Sequence, residues 1–547
     1  MDSADPKKKA DDITDNKDDS ILQNQIIHDW YKLFSLDTAD APTQIYAQGI
    51  QQKLIDDAYE SHSNSDEDPI TLWFKLCETV LESAKTITKQ SLKLANLQAY
   101  ELEKRQFIDK QIELLFQPRN FLWSNKKAID KAIKSKGKSI QKGVAFMSDD
   151  LSRGSLNLSP PKAFALGENI AQTNGHVIYK NNLIELIQYE PKTKRITTDP
   201  ILIIPPFINK FYILDLQESN SLVNHLVTQG ITVFMISWKN PNMKDGHLTW
   251  DDYVENGVFP SIDTILKIYP KSKINISGYC IGGTLAAVST AILNDTKKER
   301  IASLTILNTL LDFSDVGEIS NFISEDFIKR LNDTIGKNGI FPGTVMSSVF
   351  SALRPKELIW NYVEQVYLKG EEPTPFDFLH WNADITNVPG PLLVWYLKEM
   401  YLENNLQRAD HLKVLGKSVN LSKISCPCFV VASRKDHIVP WQTAYKSALL
   451  LNTTCEFILS SGGHVTGIIS PQKNRKKNAH YTKTDDGKVR RKLTDWLDGS
   501  SLNANSWWPH WTQWIKKHSG GTRPRRKSVG NKNFKSLGIA PGDYVKH

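Results

Sequence analysis

The sequence predicts an α/β fold: a doubly wound parallel sheet, carrying an inserted helical cap and preceded by a mostly helical N-terminal region. Three observations predict it. From about residue 200 onward, short β-branched runs alternate with helical segments: "DPILIIPPF", "ITVFMISW", "INISGYC", "SLTILNTLL", "CFVVASRKD" and "CEFILSSGGH". Continuous apolar strands of this kind belong to a parallel sheet covered on both faces. Before residue 200, stretches such as "LWFKLCETVLESAKTITKQSLKLANLQAYELEKRQF" place apolar residues at helical spacing. Third, the gap from "SLTILNTLLDFS" to "CPCFVVASRKD" is about 110 residues, far more than a strand-to-strand connection needs.

Taken in order, residues 1–20 read as a disordered lead-in. "MDSADPKKKADDITDNKDDS" has no apolar centre and does not make a secretory signal. Residues 21–195 are expected to be mostly helical, with a Gly-, Ser-, Lys- and Pro-rich loop over 137–160. The first part of the sheet domain spans 196–313, the cap 314–422, and the second part of the sheet domain 423–500. Such caps control the access of water and substrate. The last segment, 501–547, is rich in tryptophan and basic residues. Trp507, Trp508, Trp511 and Trp514 are expected to dock on the core.

Composition narrows the function classes. The chain has 547 residues, 40% hydrophobic and 23% charged, as in ordinary globular proteins. No run of eighteen apolar residues occurs, so no membrane span is expected. Five cysteines, Cys77, Cys280, Cys426, Cys428 and Cys455, show no framework spacing, which points to a reducing cytoplasm. The C-x-C pair in "ISCPCFVV" has no second ligand pair nearby and reads as two buried thiols, so no metal is expected. A net charge of +8 suits an anionic ligand or surface. Without a zinc finger, an aromatic RNA-binding signature or a long basic helix, no nucleic-acid partner is expected.

The chemistry centres on "INISGYCIGGTLAAV". Gly278 and Gly282 flank Cys280 in G-x-C-x-G, the tight strand-to-helix turn that presents a nucleophile in α/β-hydrolases. A helix starting at Ile281 points its free N–H groups at Cys280 and favours thiolate. The acid and base should follow later strands in that order. Asp436 ends "CFVVASRKD" and His464 ends "CEFILSSGGH", so Cys280, Asp436 and His464 form the expected triad, with neighbouring His437 turned away. The oxyanion hole should use the Ile281 N–H and one amide from "IIPPFINKFYILDL", with Ile208 as the candidate. No G-x-S-x-G competes. A cysteine nucleophile exchanges one thioester for another, which suits acyl transfer from a coenzyme A thioester to a hydroxyl better than ester hydrolysis.

These residues resemble the poly(3-hydroxyalkanoate) synthases of the class I, short-chain, single-subunit type. So do "NGHVIYKNNLIELIQYEP", "TWDDYV", "SALRPKELIWNYV", "FLHWNADITNVPGP", "WYLKEMYLENNL", "DHIVPW", "GGHVTG", "SWWPHW" and "GNKNFKSLGIAPGDYVKH". The similarity runs from about residue 60 to His547. It implies an acyltransferase that polymerises (R)-3-hydroxyacyl-CoA, with 3-hydroxybutyryl-CoA as the expected monomer, and releases CoA. Cys280 would carry the growing polyester as a thioester. His464 would be its base, and Asp436 would orient His464 or activate the 3-hydroxyl. The resemblance implies a cytoplasmic homodimer at the polyhydroxyalkanoate granule surface, with 3-hydroxyacyl-CoA as substrate and no separate cofactor. Trp381 matches a cap tryptophan of the family, with a dimer-linked, gating or packing role. Phe207 stands where relatives have a smaller residue and is expected to narrow the entrance. The basic run after His464, "SPQKNRKKNAHYTKTDDGKVRRK", suits the phosphates of coenzyme A or a solvated loop. Two alternatives are a thioesterase or hydrolase of the same fold and a granule-associated binding protein.

Overall fold

In the computed structural model of the protein, the described residues are 99–547, except 155, 161, 295–299, 473–477 and 484–491. The expected lead-in, residues 21–98 of the region expected to be helical and most of the basic run after His464 lie outside them. The chain divides into two units: residues 1–158 with 344–374, and residues 159–343 with 375–547.

The first unit contains the helices Ala99–Leu115, Lys126–Lys134 and Lys138–Arg153. The loop expected over 137–160 is instead largely the third of these. Two of the glycines, Gly137 with φ +80 and Gly154 with φ +68, sit just outside its ends and delimit it. Gly143 faces the helical turn Val363–Leu368, where an added Cβ would lie 1.8 Å from the Tyr367 carbonyl oxygen. Further along, the hydroxyls of Tyr362 and Tyr367 both donate to the buried Asp150 carboxylate, at 2.6 and 2.9 Å. Part of the expected cap, 344–374, therefore belongs with the N-terminal helices. Those contacts are long-range, and local periodicity carries no trace of them.

The second unit is built on an eleven-stranded mixed sheet. In chain order its strands are β1 (Gly175–Lys180), β2 (Ile184–Tyr189), β3 (Ile201–Ile204), β4 (Val233–Trp238), β5 (Ile274–Tyr279) and β6 (Ile301–Leu307). They continue with β7 (Cys428–Ser433), β8 (Cys455–Ser460), β9 (His480–Thr482), β10 (Ser501–Asn503) and β11 (Gly538–Ile539). The spatial order is β10-β9-β8-β7-β6-β5-β3-β4-β2-β1-β11. β3 to β8 pair in parallel, and β1, β2, β9, β10 and β11 join antiparallel at the two sides.

β1 and β2 correct the expectation that 21–195 is mostly helical. "IELIQY" is buried along its whole length between β1 and β4. Its Glu185 is tolerated inside because the carboxylate accepts the backbone N–H groups of Asp543 and Tyr544 and pairs with Lys180 at 2.7 Å. The runs in β3, β4, β5 and β7 are buried at every position, as strands covered on both faces must be. Of the tail, Trp507, Trp508, Trp511 and Trp514 are buried in the core around the helix Trp508–Lys517. No helix among the described residues is long and apolar enough to cross a membrane.

Candidate active site

Cys280 stands at the end of β5, where the chain turns straight into the helix Ile281–Asn294. Its φ is +54, a conformation that side chains other than glycine rarely adopt. The turn is tight because its neighbours are bare. A Cβ on Gly278 would lie 2.4 Å from the Gly282 carbonyl oxygen, and one on Gly282 would lie 2.3 Å from that of Ile204. The Cys280 N–H donates to the Leu307 carbonyl (2.9 Å), and its own carbonyl accepts from Gly283 N–H (2.8 Å) and the Thr309 hydroxyl (3.0 Å). The backbone is fully engaged, while the side chain remains partly exposed and its thiol unoxidised.

The expected partners converge on it. His464 Nδ1 lies 2.7 Å from Asp436 Oδ2, and the Asp436 side chain is wholly buried. The other carboxylate oxygen, Oδ1, accepts the backbone N–H groups of Ile438 (2.8 Å) and Val439 (2.9 Å). Cys280 lies near enough to the imidazole for its charge to act on it. Burial by itself lowers the His464 pKa, but the charges of Asp436 and Cys280, together with the hydrogen bond to Asp436, override it and hold the imidazole up at about 10. The structure thus brings Cys280, His464 and Asp436 together, and Asp436 serves His464 rather than the adjacent His437.

Four consecutive strand ends fix the imidazole. The His464 carbonyl accepts from Asn308 Nδ2 at 2.6 Å and from the Tyr279 hydroxyl at 3.2 Å. Ser433 donates to Asn308 Oδ1 at 3.0 Å, and the Tyr279 ring stacks on His464 with centroids 5.4 Å apart. Beyond His464, the indole N–H groups of Trp507 and Trp508 donate to the carbonyls of Gly467 and Ile468, each at 2.8 Å. Everything lies at the C-terminal ends of parallel strands, where open α/β sheets place their ligands.

Ile281 opens its helix, and the loop after β3 reaches the elbow where Gly282 meets the Ile204 and Pro205 carbonyls. Half-buried Ile208 lies three residues beyond Pro205 in that loop. Phe207 does not line an entrance. It is 2% exposed and packs among Trp238, Trp250 and Tyr253, which removes the expected narrowing. Among the described residues, no group of three His, Cys, Asp or Glu could hold a metal ion.

With the site in place, likeness to known proteins becomes informative. Residues 64–226 match the family described as Poly-beta-hydroxybutyrate polymerase (PhaC) N-terminus, and residues 199–471 match the alpha/beta hydrolase fold. The chain is 41% identical over 434 residues to the Poly(3-hydroxyalkanoate) polymerase subunit PhaC of Cupriavidus necator, covering 78% of this chain and 73% of the relative. The chain belongs to the poly(3-hydroxyalkanoate) polymerase family. It is also 35% identical to the Poly(3-hydroxyalkanoate) polymerase of Methylorubrum extorquens, over 81% of this chain and 73% of the relative. A third relative, the Poly(3-hydroxyalkanoate) polymerase subunit PhaC of Rhizobium meliloti, is 36% identical over 81% of this chain and 72% of its own length.

Two site residues of this polymerase chain escaped the sequence reading. Tyr396 and Tyr401, from the successive helical segments Gly390–Tyr396 and Leu397–Leu402, pack against each other (5.5 Å) and both against Phe313 (6.1 and 5.1 Å). Burial raises both phenol pKa values, and the nearby Cys280 charge adds to the rise. For Tyr401 the Asp436 charge contributes as well. Nothing in "WYLKEMYLENNL" marks two phenols close enough to feel the charge of a cysteine about 120 residues earlier.

Proposed function

We propose that the protein polymerises (R)-3-hydroxyacyl-CoA into polyester through a covalent acyl-Cys280 thioester, with His464 as base and Asp436 as its positioning group. The observation that carries the reading is the His464–Asp436 pair, 2.7 Å apart, beside the Cys280 elbow, with the imidazole close enough to feel the Cys280 charge. The Cys280 thiolate attacks the thioester carbonyl of the monomer, the carbonyl oxygen takes up the negative charge, and the C–S bond to coenzyme A breaks. The departing CoA thiolate takes the proton held on His464. In the next step a monomer 3-hydroxyl attacks the acyl-Cys280 carbonyl, and neutral His464 accepts its proton. The chain passes to the hydroxyl as an oxygen ester and Cys280 leaves as thiolate, ready to take the lengthened chain back from its CoA thioester.

The electrostatics support this alternation. The Cys280 charge is among the interactions that raise the His464 pKa. It vanishes when the sulfur is acylated, so the imidazole becomes a better match for a neutral base at the moment a hydroxyl must be deprotonated. Asp436 is spoken for at both oxygens, by His464 and by two backbone amides. That supports an orienting role over direct contact with the 3-hydroxyl. The Ile281 and Ile208 amides are the proposed oxyanion donors.

The same reading makes the protein a cytoplasmic homodimer working at the surface of its own granules. The helix Lys138–Arg153 supports the granule contact: Ile140, Val144, Met147 and Leu151, on one face by helical spacing, are all exposed. The test is incubation with 3-hydroxyacyl-CoA of four, five and six or more carbons, following thiol release and product mass together. Thiol release with insoluble polyester is the expected result, lost in Cys280→Ala. Thiol release with only free 3-hydroxy acid would make the protein a thioesterase, and polyester binding that survives Cys280→Ala without turnover in the intact protein would make it a binding protein.

A further inference from the structure

Residues 207–212, in the loop leaving β3, and residues 381–387, in the expected cap, are fastened along their length. The Trp381 indole N–H donates to the Lys210 carbonyl at 2.8 Å. Asn209 and Ile385 form an antiparallel bridge. The Thr386 hydroxyl donates to the Phe207 carbonyl at 3.1 Å, and the Tyr212 hydroxyl donates to Asp384 Oδ2 at 2.8 Å. Lys210, Tyr212, Trp381 and Thr386 are all buried. The Lys210 ammonium faces the Asp384 carboxylate and donates to the backbone carbonyl of His547. Lys210 is thus buried and Asp384 half-buried, an arrangement of charges that the chemistry of the triad does not use.

What the cluster holds is informative. Ile208 lies between Phe207 and Asn209, each of which is bonded to the 381–387 segment. We propose that Tyr212 and Asp384 are positioning residues for acyl transfer: through this fastening the 381–387 segment sets the Ile208 amide where the developing oxyanion needs a donor. The inference rests on the oxyanion assignment made above. Seating of the cap segment and stabilisation of the transition state are then one event, because the donor moves with the segment. A misplacement of about 1 Å is enough to cost on the order of a hundredfold in rate.

The experiment compares Tyr212→Phe, Asp384→Asn and Ile208→Pro in the full chain. Three quantities are read: single-turnover CoA release from 3-hydroxybutyryl-CoA, steady-state kcat and KM, and the rate of Cys280 alkylation by iodoacetamide. Tyr212→Phe and Asp384→Asn should slow the first CoA release by roughly ten- to a hundredfold and lower kcat with little change in KM. Alkylation should stay at the parent rate, since the thiol and His464 are untouched. Ile208→Pro, which lacks the N–H, should do the same. If Ile208→Pro slows release but the other two do not, the fastening has no positioning role and the oxyanion assignment stands. If Ile208→Pro releases CoA at the parent rate, the oxyanion assignment falls and this inference with it. Alkylation that drops in parallel with release in Tyr212→Phe and Asp384→Asn would mean that the whole site had collapsed, and would overturn the proposal.

Discussion

Cys280 pays for its exposure with a backbone conformation of φ +54, and the turn holds only because Gly278 and Gly282 have no side chains. Gly278→Ala should therefore destabilise the protein by about 1–3 kcal/mol, as overpacking does, and abolish the first CoA release; the denaturation midpoint and a single-turnover assay check both. His464 makes a sharper prediction. Its pKa is raised to about 10 in the folded protein from an ordinary 6.5. Its contribution to stability is therefore complete below pH 6.5 and is lost as pH rises towards 10. Thermal melts from pH 6 to 10 should show the parent's advantage over His464→Gln shrinking with rising pH. In the same variant, alkylation of Cys280 at pH 7 should slow by about tenfold or more, because the neighbouring base that can take the thiol proton is gone.

At the level of elements, the triad was legible because each member ends a strand that announces itself. β5, β7 and β8 are continuous β-branched runs, and Cys280, Asp436 and His464 follow them directly or within a short loop. β1 and β2 were missed because "GHVIYK" and "IELIQY" are short, carry charge and lie outside the alternating strand–helix register. The helix Lys138–Arg153 was missed because its bounding glycines looked like loop composition. Nor could the sequence show that Trp507 and Trp508 support the turn after His464, since that depends on indole N–H groups reaching two particular carbonyls. Trp507→Phe and Trp508→Phe should each cost about 1 kcal/mol of stability, the net worth of one hydrogen bond. Each should also lower kcat more than KM, which steady-state kinetics will read, because the turn that carries the base is loosened.

Over the whole molecule, the division of the expected cap is the main departure from the sequence reading. Thr344–Thr374 is inserted in the second unit's sequence but is counted with the N-terminal helices. Asp150 joins these parts of the first unit by accepting two tyrosine hydroxyls. Asp150→Ala leaves both hydroxyls unpaired and should destabilise the first unit by about 2 kcal/mol. Limited proteolysis should then cut within 344–374 faster than in the parent, with the triad's alkylation rate unchanged.

The sheet has one more property, and it concerns time. β1 is flanked by β2 and by β11, and His176 finds its partner Ile539 about 360 residues later in the chain. At ribosomal speeds of roughly 5–20 residues per second, that edge waits about 20–70 s for its cover. The tryptophans behind His464 also belong to this late-made stretch. A nascent chain thus exposes its thiol elbow well before its base is braced.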